Sequence, residues 1–64
     1  MRDPNRIDKF CLDLAKIWHE VPDWRFGQLM INVMSAYITE YGRDAFYVED
    51  DNFMKWMQAQ FKTE

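Results

Sequence analysis

Three consecutive acidic residues, Glu49, Asp50 and Asp51, form the densest group of potential ligand atoms in the chain. Such carboxylates can bind a metal ion or contact a basic partner, as an inhibitor that mimics phosphate does. Calcium-loop spacing is absent, because the acids are contiguous and no glycine follows them. In the structural interpretation, Asp50 or Asp51 caps a helix and the other acids favour the positive end of its dipole. We expect this structural role, with a protein contact as the second interpretation and no metal.

The only imidazole and the only thiol belong to His19 and Cys11. On one helix, their separation in sequence corresponds to about 12 Å along the axis and about 80° around it. They therefore cannot act as base and nucleophile within one subunit. We expect Cys11 to pack as a small apolar residue and His19 to complement the dipole at a helix C-terminus. No catalytic residue is assigned, and we expect a protein that is not an enzyme and uses no cofactor.

A polar stripe follows the segment 24–41 within an arc of roughly 80°. It consists of Arg25, Gln28, Asn32, Ser35 and Thr39. One interpretation is the solvent-facing side of a buried helix. The other is a binding surface, since Arg25, Gln28 and Asn32 offer hydrogen bonds to a protein, a carboxylate or a phosphate, and Trp24 and Tyr47 offer stacking. A pocket of this kind needs walls from a second subunit, because three short helices enclose little volume.

Helical periodicity predicts three helices, over about 4–20, 24–41 and 51–62. Asp3 and the proline after it are a start signal, and Pro22 ends the first helix. Asp23 is expected to cap the second helix. Gly42 is expected to close that helix in the left-handed conformation, and Gly27 to mark a close approach of another backbone or ring.

The segment 43–51 lacks helical periodicity. Phe46, Tyr47 and Val48 favour extended geometry, but the sequence offers no second strand to pair with them. We expect an extended connector whose aromatic side chains lie on the helices, while pairing across a dimer axis is the alternative. The predicted fold is therefore all-α: a single compact three-helix domain, residues 1–64, with an irregular or extended connector before the third helix.

The second predicted helix carries more apolar surface than a chain of 64 residues easily covers. The chain has a single cysteine, which excludes an internal disulfide, and no ligand spacing indicates a structural metal. A domain this small is only marginally stable, so oligomerisation or unusually good aromatic packing must supply the stability that those features would otherwise give. Ile31, Met34 and Ile38 form a second apolar row on this helix, separate from its inward face. We call these three residues the apolar row, and we expect them to form the interface of a homodimer.

The formal charge of −3 argues against a nucleic-acid or anionic-membrane surface. No apolar run is long enough for a transmembrane helix. The polar first residues do not resemble a signal peptide, and with one unpaired cysteine we expect a cytoplasmic location.

Four segments of the chain resemble a group of short uncharacterised proteins from bacterial and phage genomes. They are Arg2–Ile7, Ile17–Trp18, Pro22–Leu29 with Asn32, and Phe46–Asp51. The resemblance implies, by association, a phage-borne modulator such as an anti-defence protein. Together with the residues, it leads us to expect a small protein-interaction module that acts by binding a partner protein. The alternative is an oligomer that binds or sequesters a small nucleotide-like anion.

Overall fold

The computed structural model describes residues 2–62, and this part of the chain forms three α-helices without a strand. Helix α1 spans Asn5–Glu20, α2 spans Phe26–Tyr41 and α3 spans Asp50–Phe61. The all-α prediction is confirmed. The predicted helix bounds agree with the observed ones to within two residues.

Helices α1 and α3 pack directly against each other and run in the same direction, while α2 runs in the opposite one and packs against both. Arg6 pairs with Asp50, which places the start of α1 beside the start of α3. The rings of Trp18 and Phe26 lie 5.6 Å apart, so α2 begins beside the end of α1. Near the end of α2, the ring of Tyr37 lies 5.5 Å from that of Phe53, in the first turn of α3.

One hydrophobic core joins the three helices. Helix α2 contributes Leu29, Val33 and Tyr37, which are four residues apart and therefore share one face. The buried core consists of Ile17, Leu29, Val33, Tyr37, Phe53, Met54 and Met57. Met54 and Met57, three residues apart on α3, are both buried, as the helical period of their segment predicts.

The helix starts differ from the predicted caps in two of three cases. Asp3 acts as expected, because its Oδ1 accepts a hydrogen bond from the Asn5 amide at 2.9 Å. The prediction for Asp23 is wrong: a turn bonds the Trp24 amide to the Val21 carbonyl, so helical geometry starts only after Arg25. There the Gln28 side-chain oxygen accepts from the Arg25 amide at 2.8 Å.

The predicted capping of α3 by Asp50 or Asp51 is also wrong. Asp50 is already the first residue of the helix, and Glu49 precedes it without a side-chain capping bond. The Asp50 carboxylate instead lies 2.9 Å from Arg6 Nε, so it points towards α1 rather than back along its own helix.

The two glycines behave differently. Gly42 has a φ of 73° and its amide donates to the Ile38 carbonyl at 2.7 Å, which confirms the left-handed end of α2. At Gly27, an added Cβ would have no neighbour within 4 Å. The expected close approach at Gly27 is therefore wrong.

The connector between α2 and α3 is a turn held at both sides. The Asp44 Oδ1 atom accepts from the Phe46 amide at 3.1 Å, and the Val48 amide donates to the Ala45 carbonyl at 3.2 Å. Ala45 and Val48 pack against the core. Phe46 and Tyr47, at the tip of the turn, are 80% and 90% exposed. The expectation that these rings lie on the helices is wrong, because the anchoring residues on either side turn the tip outward.

Candidate functional site

Four of the predicted binding residues line one open depression at the start of α2. They are Trp24, Arg25, Gln28 and Asn32, with Gly27 and Ile31 completing the wall, and the depression has a volume of about 570 Å³. We call it the α2 depression. Gln28 and Asn32 are one helical turn apart, so α2 lines them up along one side, while Trp24 and Arg25 precede the first residue of the helix.

Two contacts fix the wall formed by Trp24. The Trp18 indole Nε1 donates to the Trp24 carbonyl at 2.8 Å, which ties the turn before α2 to α1. The Trp24 ring packs edge-on against Phe61 of α3, with ring centroids 6.1 Å apart. One side of the depression is therefore held by all three helices.

The polar groups of the depression are unequally available. Gln28 already uses its side-chain oxygen to accept from the Arg25 amide, which leaves its amide nitrogen as the free donor. Arg25 takes part in none of the three ion pairs found within residues 2–62. The depression can thus offer a guanidinium and amide donors, but it is open to water on its outer side.

Tyr47 does not reach the α2 depression of its own chain. It follows the C-terminal end of α2, whereas the depression lies at the N-terminal end, and a helix of 16 residues is about 24 Å long. The side chain expected to stack beside Trp24 is therefore at the opposite end of the same helix.

The acidic run is paired with the start of α1. Glu49 lies 3.0 Å from Arg2, and Asp50 lies 2.9 Å from Arg6. The first and last of the four segments that carry the resemblance thus meet in the fold. All four side chains are more than a third exposed, so each pair contributes about 0–1 kcal/mol. In the described part of the chain, no three histidine, cysteine or acidic residues are grouped so that they could hold a metal ion.

A groove between α1 and α3 is a feature that the sequence reasoning missed. Asp51 lines it, together with residues of both charge signs from α1 and α3, and its volume is about 530 Å³. Within it, Lys9 Nζ lies 2.9 Å from the Asp13 carboxylate, whose side chain is only 13% exposed. The sequence signal for this groove was the spacing of Arg6, Lys9 and Asp13 by three and four residues, which places them on one face of α1. Alternating charges give this groove no single preference for anions or cations.

Cys11 and His19 are both exposed on α1. The expectation that Cys11 packs as a core residue is wrong. It shares a face with Ile7, which is 51% exposed, because α3 reaches this face only at Asp50 and leaves much of it open.

The largest uncovered apolar surface of α2 is the apolar row. Ile31, Met34 and Ile38 are 67%, 39% and 46% exposed, and Tyr41, which continues the row, is 52% exposed. The other two helices cover the stripe of Leu29, Val33 and Tyr37 and leave this side of α2 open.

None of the three helices in residues 2–62 combines the length and apolarity that a membrane crossing requires. Comparison with known proteins gives no match for this chain, whether with protein-family models, with curated proteins or with solved structures.

Proposed function

We propose that this protein is a small, non-enzymatic protein-interaction module that works as a homodimer, with α2 of one copy packed against α2 of the other. The observation that carries the proposal is the exposure of the apolar row in the single chain. An apolar helix face that its own chain leaves open is stabilised by covering it with another protein surface.

The spacing of the exposed positions favours a second helix as the cover. Counted from Gly27, the open side of α2 follows alternating steps of four and three: Gly27, Ile31, Met34, Ile38, Tyr41. This is the heptad spacing by which two helices pack side by side. The only charged residue within α2 is Glu40, and its carboxylate accepts a hydrogen bond from the Trp56 indole of α3. No charge beside the row therefore opposes a second copy.

The exposed area also favours assembly. A fully exposed large side chain offers roughly 200 Å², so the measured exposures of the apolar row and Tyr41 amount to about 400 Å² in each copy. The largest apolar patch of a typical monomer is about 300–600 Å² and is often functional.

The proposed role follows from binding rather than from chemistry. The resemblance to short bacterial and phage proteins supports a modulator, such as an anti-defence protein, that occupies the surface of a partner protein. The net charge of −3 supports protein rather than nucleic-acid partners. We place the protein in the cytoplasm, because its one thiol, on Cys11, is exposed and suits a reducing compartment.

Light scattering coupled to size exclusion tests the proposal with two neighbouring variants. We expect twice the chain mass for the wild type, the chain mass for Ile38→Asp, and again twice the mass for Thr39→Asp, which places the same charge on the polar stripe. Circular dichroism confirms that each variant is helical. A wild-type chain that stays monomeric at millimolar concentration would refute the dimer. A Thr39→Asp variant that dissociates as readily as Ile38→Asp would show that the apolar row is not the interface.

The α2 depression supports a second candidate function, the binding of a nucleotide-like anion. It brings Arg25, Gln28 and Trp24 into one wall, with the guanidinium outside the ion pairs of residues 2–62. A nucleotide panel should then quench tryptophan fluorescence and raise Tm, with the response lost in Arg25→Ala. If no member of the panel changes either signal of the folded wild type, this candidate is excluded.

A further inference from the structure

Phe46 and Tyr47, the aromatic pair, are the most exposed large apolar side chains described in this structure, at 80% and 90%. Their rings lie 4.8 Å apart in an edge-to-face arrangement. The turn that carries them is fixed by the Asp44 side chain and by Ala45 and Val48, which pack on the core. Exposed aromatic side chains on a fixed turn have the character of interface anchors, since little conformational entropy is lost when they bind.

We infer that the aromatic pair of one copy binds in the α2 depression of the second copy. By symmetry, one Phe46–Tyr47 pair then lies at each end of the contact between the two α2 helices. This inference rests on the proposed homodimer. It gives the dimer a defined orientation, with the two α2 helices antiparallel, and it gives Tyr47 the neighbours that its own chain does not supply.

Antiparallel pairing places the two surfaces together. When Met34 of one copy lies opposite Ile38 of the other, the heptad spacing sets Ile31 opposite Tyr41. The connector that follows Tyr41 then continues past the N-terminal end of the other α2, where the α2 depression lies. Two-fold symmetry produces the same arrangement at the other end of the helix pair, so the dimer contains two equal contacts between an aromatic pair and an α2 depression.

Electrostatics favours the antiparallel orientation over the parallel one. In a parallel pair, the positive N-terminal ends of both α2 dipoles meet, and both Arg25 side chains join them. In an antiparallel pair, the two N-termini are about 24 Å apart and each lies beside the negative C-terminal end of the other helix. Because α2 carries no other charge than Glu40, nothing along its length offsets this preference.

The α2 depression has room and chemistry for two rings. Its volume of about 570 Å³ is comparable with that of small-molecule clefts, roughly 300–1,000 Å³, and its open outer side gives two rings access from a second copy. Above Gly27, no atom lies within 4 Å of the position of a Cβ, so a ring can approach the helix backbone there. The Arg25 guanidinium can stack on a ring face, and the Gln28 or Asn32 amide can bind the Tyr47 hydroxyl.

The area of the dimer gives an independent reason. A stable interface buries about 800 Å² on each partner. The apolar row and Tyr41 supply about 400 Å², and the aromatic pair, at its measured exposure, supplies roughly 300 Å² more. The part of the depression wall outside Ile31 adds to these areas and brings each copy close to that size. Without the aromatic pair, the α2 contact falls well short of it.

Sedimentation equilibrium of the double variant Phe46→Ala/Tyr47→Ala tests the inference. We expect the dimer Kd to rise by more than about 100-fold, because the pair buries more area than any single side chain of the apolar row. The helix content of the monomer should stay the same, since both side chains are exposed in the single chain. The control is Leu12→Ala, which truncates another highly exposed apolar side chain, on α1, and should leave Kd unchanged. A dimer whose Kd is the same in the double variant and the wild type overturns the inference and leaves the α2 dimer standing.

Disulfide trapping tests the orientation. In a Cys11→Ser background, chains carrying Gln28→Cys are mixed with chains carrying Tyr47→Cys. We expect mild oxidation to give predominantly the mixed dimer, with little product from either chain alone. Efficient linkage of each variant to itself would indicate parallel helices and overturn the inference. A wild type that is monomeric in sedimentation refutes the proposed homodimer itself, and the inference with it.

Discussion

Two truncations on the same helix turn, Leu29→Ala and Ile31→Ala, separate the core face of α2 from the apolar row. Leu29 is 0% exposed and Ile31 is 67% exposed. Both changes remove a similar amount of aliphatic side chain from the same helix. Any difference between their effects therefore comes from what covers each residue.

The expected costs follow from these exposures. A fully buried leucine cut to alanine loses about 2–5 kcal/mol. A domain of 64 residues has a free energy of unfolding of roughly 3–10 kcal/mol, so Leu29→Ala removes a large part of it. Folding of the single chain takes only about a third of the Ile31 side chain out of water, worth about 0.5–1 kcal/mol, and the better helix propensity of alanine offsets most of that loss.

In the proposed dimer, the remaining two thirds of Ile31 is buried in each copy. The loss on truncation is then about 1–2 kcal/mol per copy, which corresponds to roughly a 30- to 1,000-fold rise in dimer Kd. Ile31→Ala should therefore be nearly silent in dilute solution and costly in concentrated solution. Leu29→Ala should be costly in both.

Urea unfolding followed by far-ultraviolet circular dichroism, at protein concentrations below and above the dimer Kd, measures both effects. Val33→Ala, at a position that is 3% exposed, serves as a milder core control if Leu29→Ala leaves no folded baseline. Equal losses for Leu29→Ala and Ile31→Ala in dilute solution would refute the fold's assignment of faces. An Ile31→Ala loss that does not depend on concentration would refute the reasoning about the dimer.

Two further predictions concern the two glycines and the ion pair between Arg6 and Asp50. Gly27→Ala should raise the free energy of unfolding in dilute solution by about 0.4–1 kcal/mol, because its added methyl meets no atom within 4 Å, whereas Gly42→Ala should lower it by about 1 kcal/mol, because alanine strains a φ of 73°. Chemical denaturation of both variants checks these opposite signs. A stabilising Gly42→Ala would contradict the left-handed end of α2. Arg6→Gln should lower the free energy of unfolding by less than about 1 kcal/mol in low salt and by close to nothing in 1 M salt, because its ion pair with Asp50 is largely exposed. A loss of stability that persists in high salt would show that Arg6 contributes through packing instead.

The helices were predictable because local signals and tertiary structure agree on them. Pro22 ends α1 whatever surrounds it, and Gly42 supplies a backbone conformation that other residues avoid. The period of α3 places Met54 and Met57 on one side, and the core forms there. In each case, the relevant signal lies within a few residues of the feature it predicts.

The caps and the connector were not predictable in the same way. Asp50 is drawn towards Arg6, more than 40 positions earlier in the chain, so a local capping rule cannot anticipate its direction. The start of α2 is set where the Trp18 indole holds the Trp24 carbonyl, which moves it beyond Asp23. The extended-strand propensity of Phe46 and Tyr47 does not reveal that their neighbours would anchor a turn.

The candidate site was only half predictable from the sequence. Helical spacing correctly groups Gln28 and Asn32, because residues one turn apart on a helix are neighbours. Trp24 and Arg25 line the same depression although they precede the helix, so their place depends on the turn before α2. The same spacing cannot place Tyr47, which belongs to another segment. It also shows that Ile7 and Cys11 share a face without showing how much of that face a second helix covers, and α3 leaves much of it open.

The aromatic composition of the core accounts for the open side of α2. Where α2 meets α3, the rings of Tyr37, Phe53 and Trp56 form a cluster in which the centroids lie 5.2–5.7 Å apart. Three rings fill the space between the two helices, so a single stripe of α2 contains enough volume to complete the core. The remaining apolar side chains of α2 then have no place inside a three-helix domain, in which each helix has only two neighbours. A chain that needed α2 only for its own core would carry polar residues at positions 31, 34 and 38. Two isoleucines and a methionine stand at these positions instead, which suits the second protein surface that we propose.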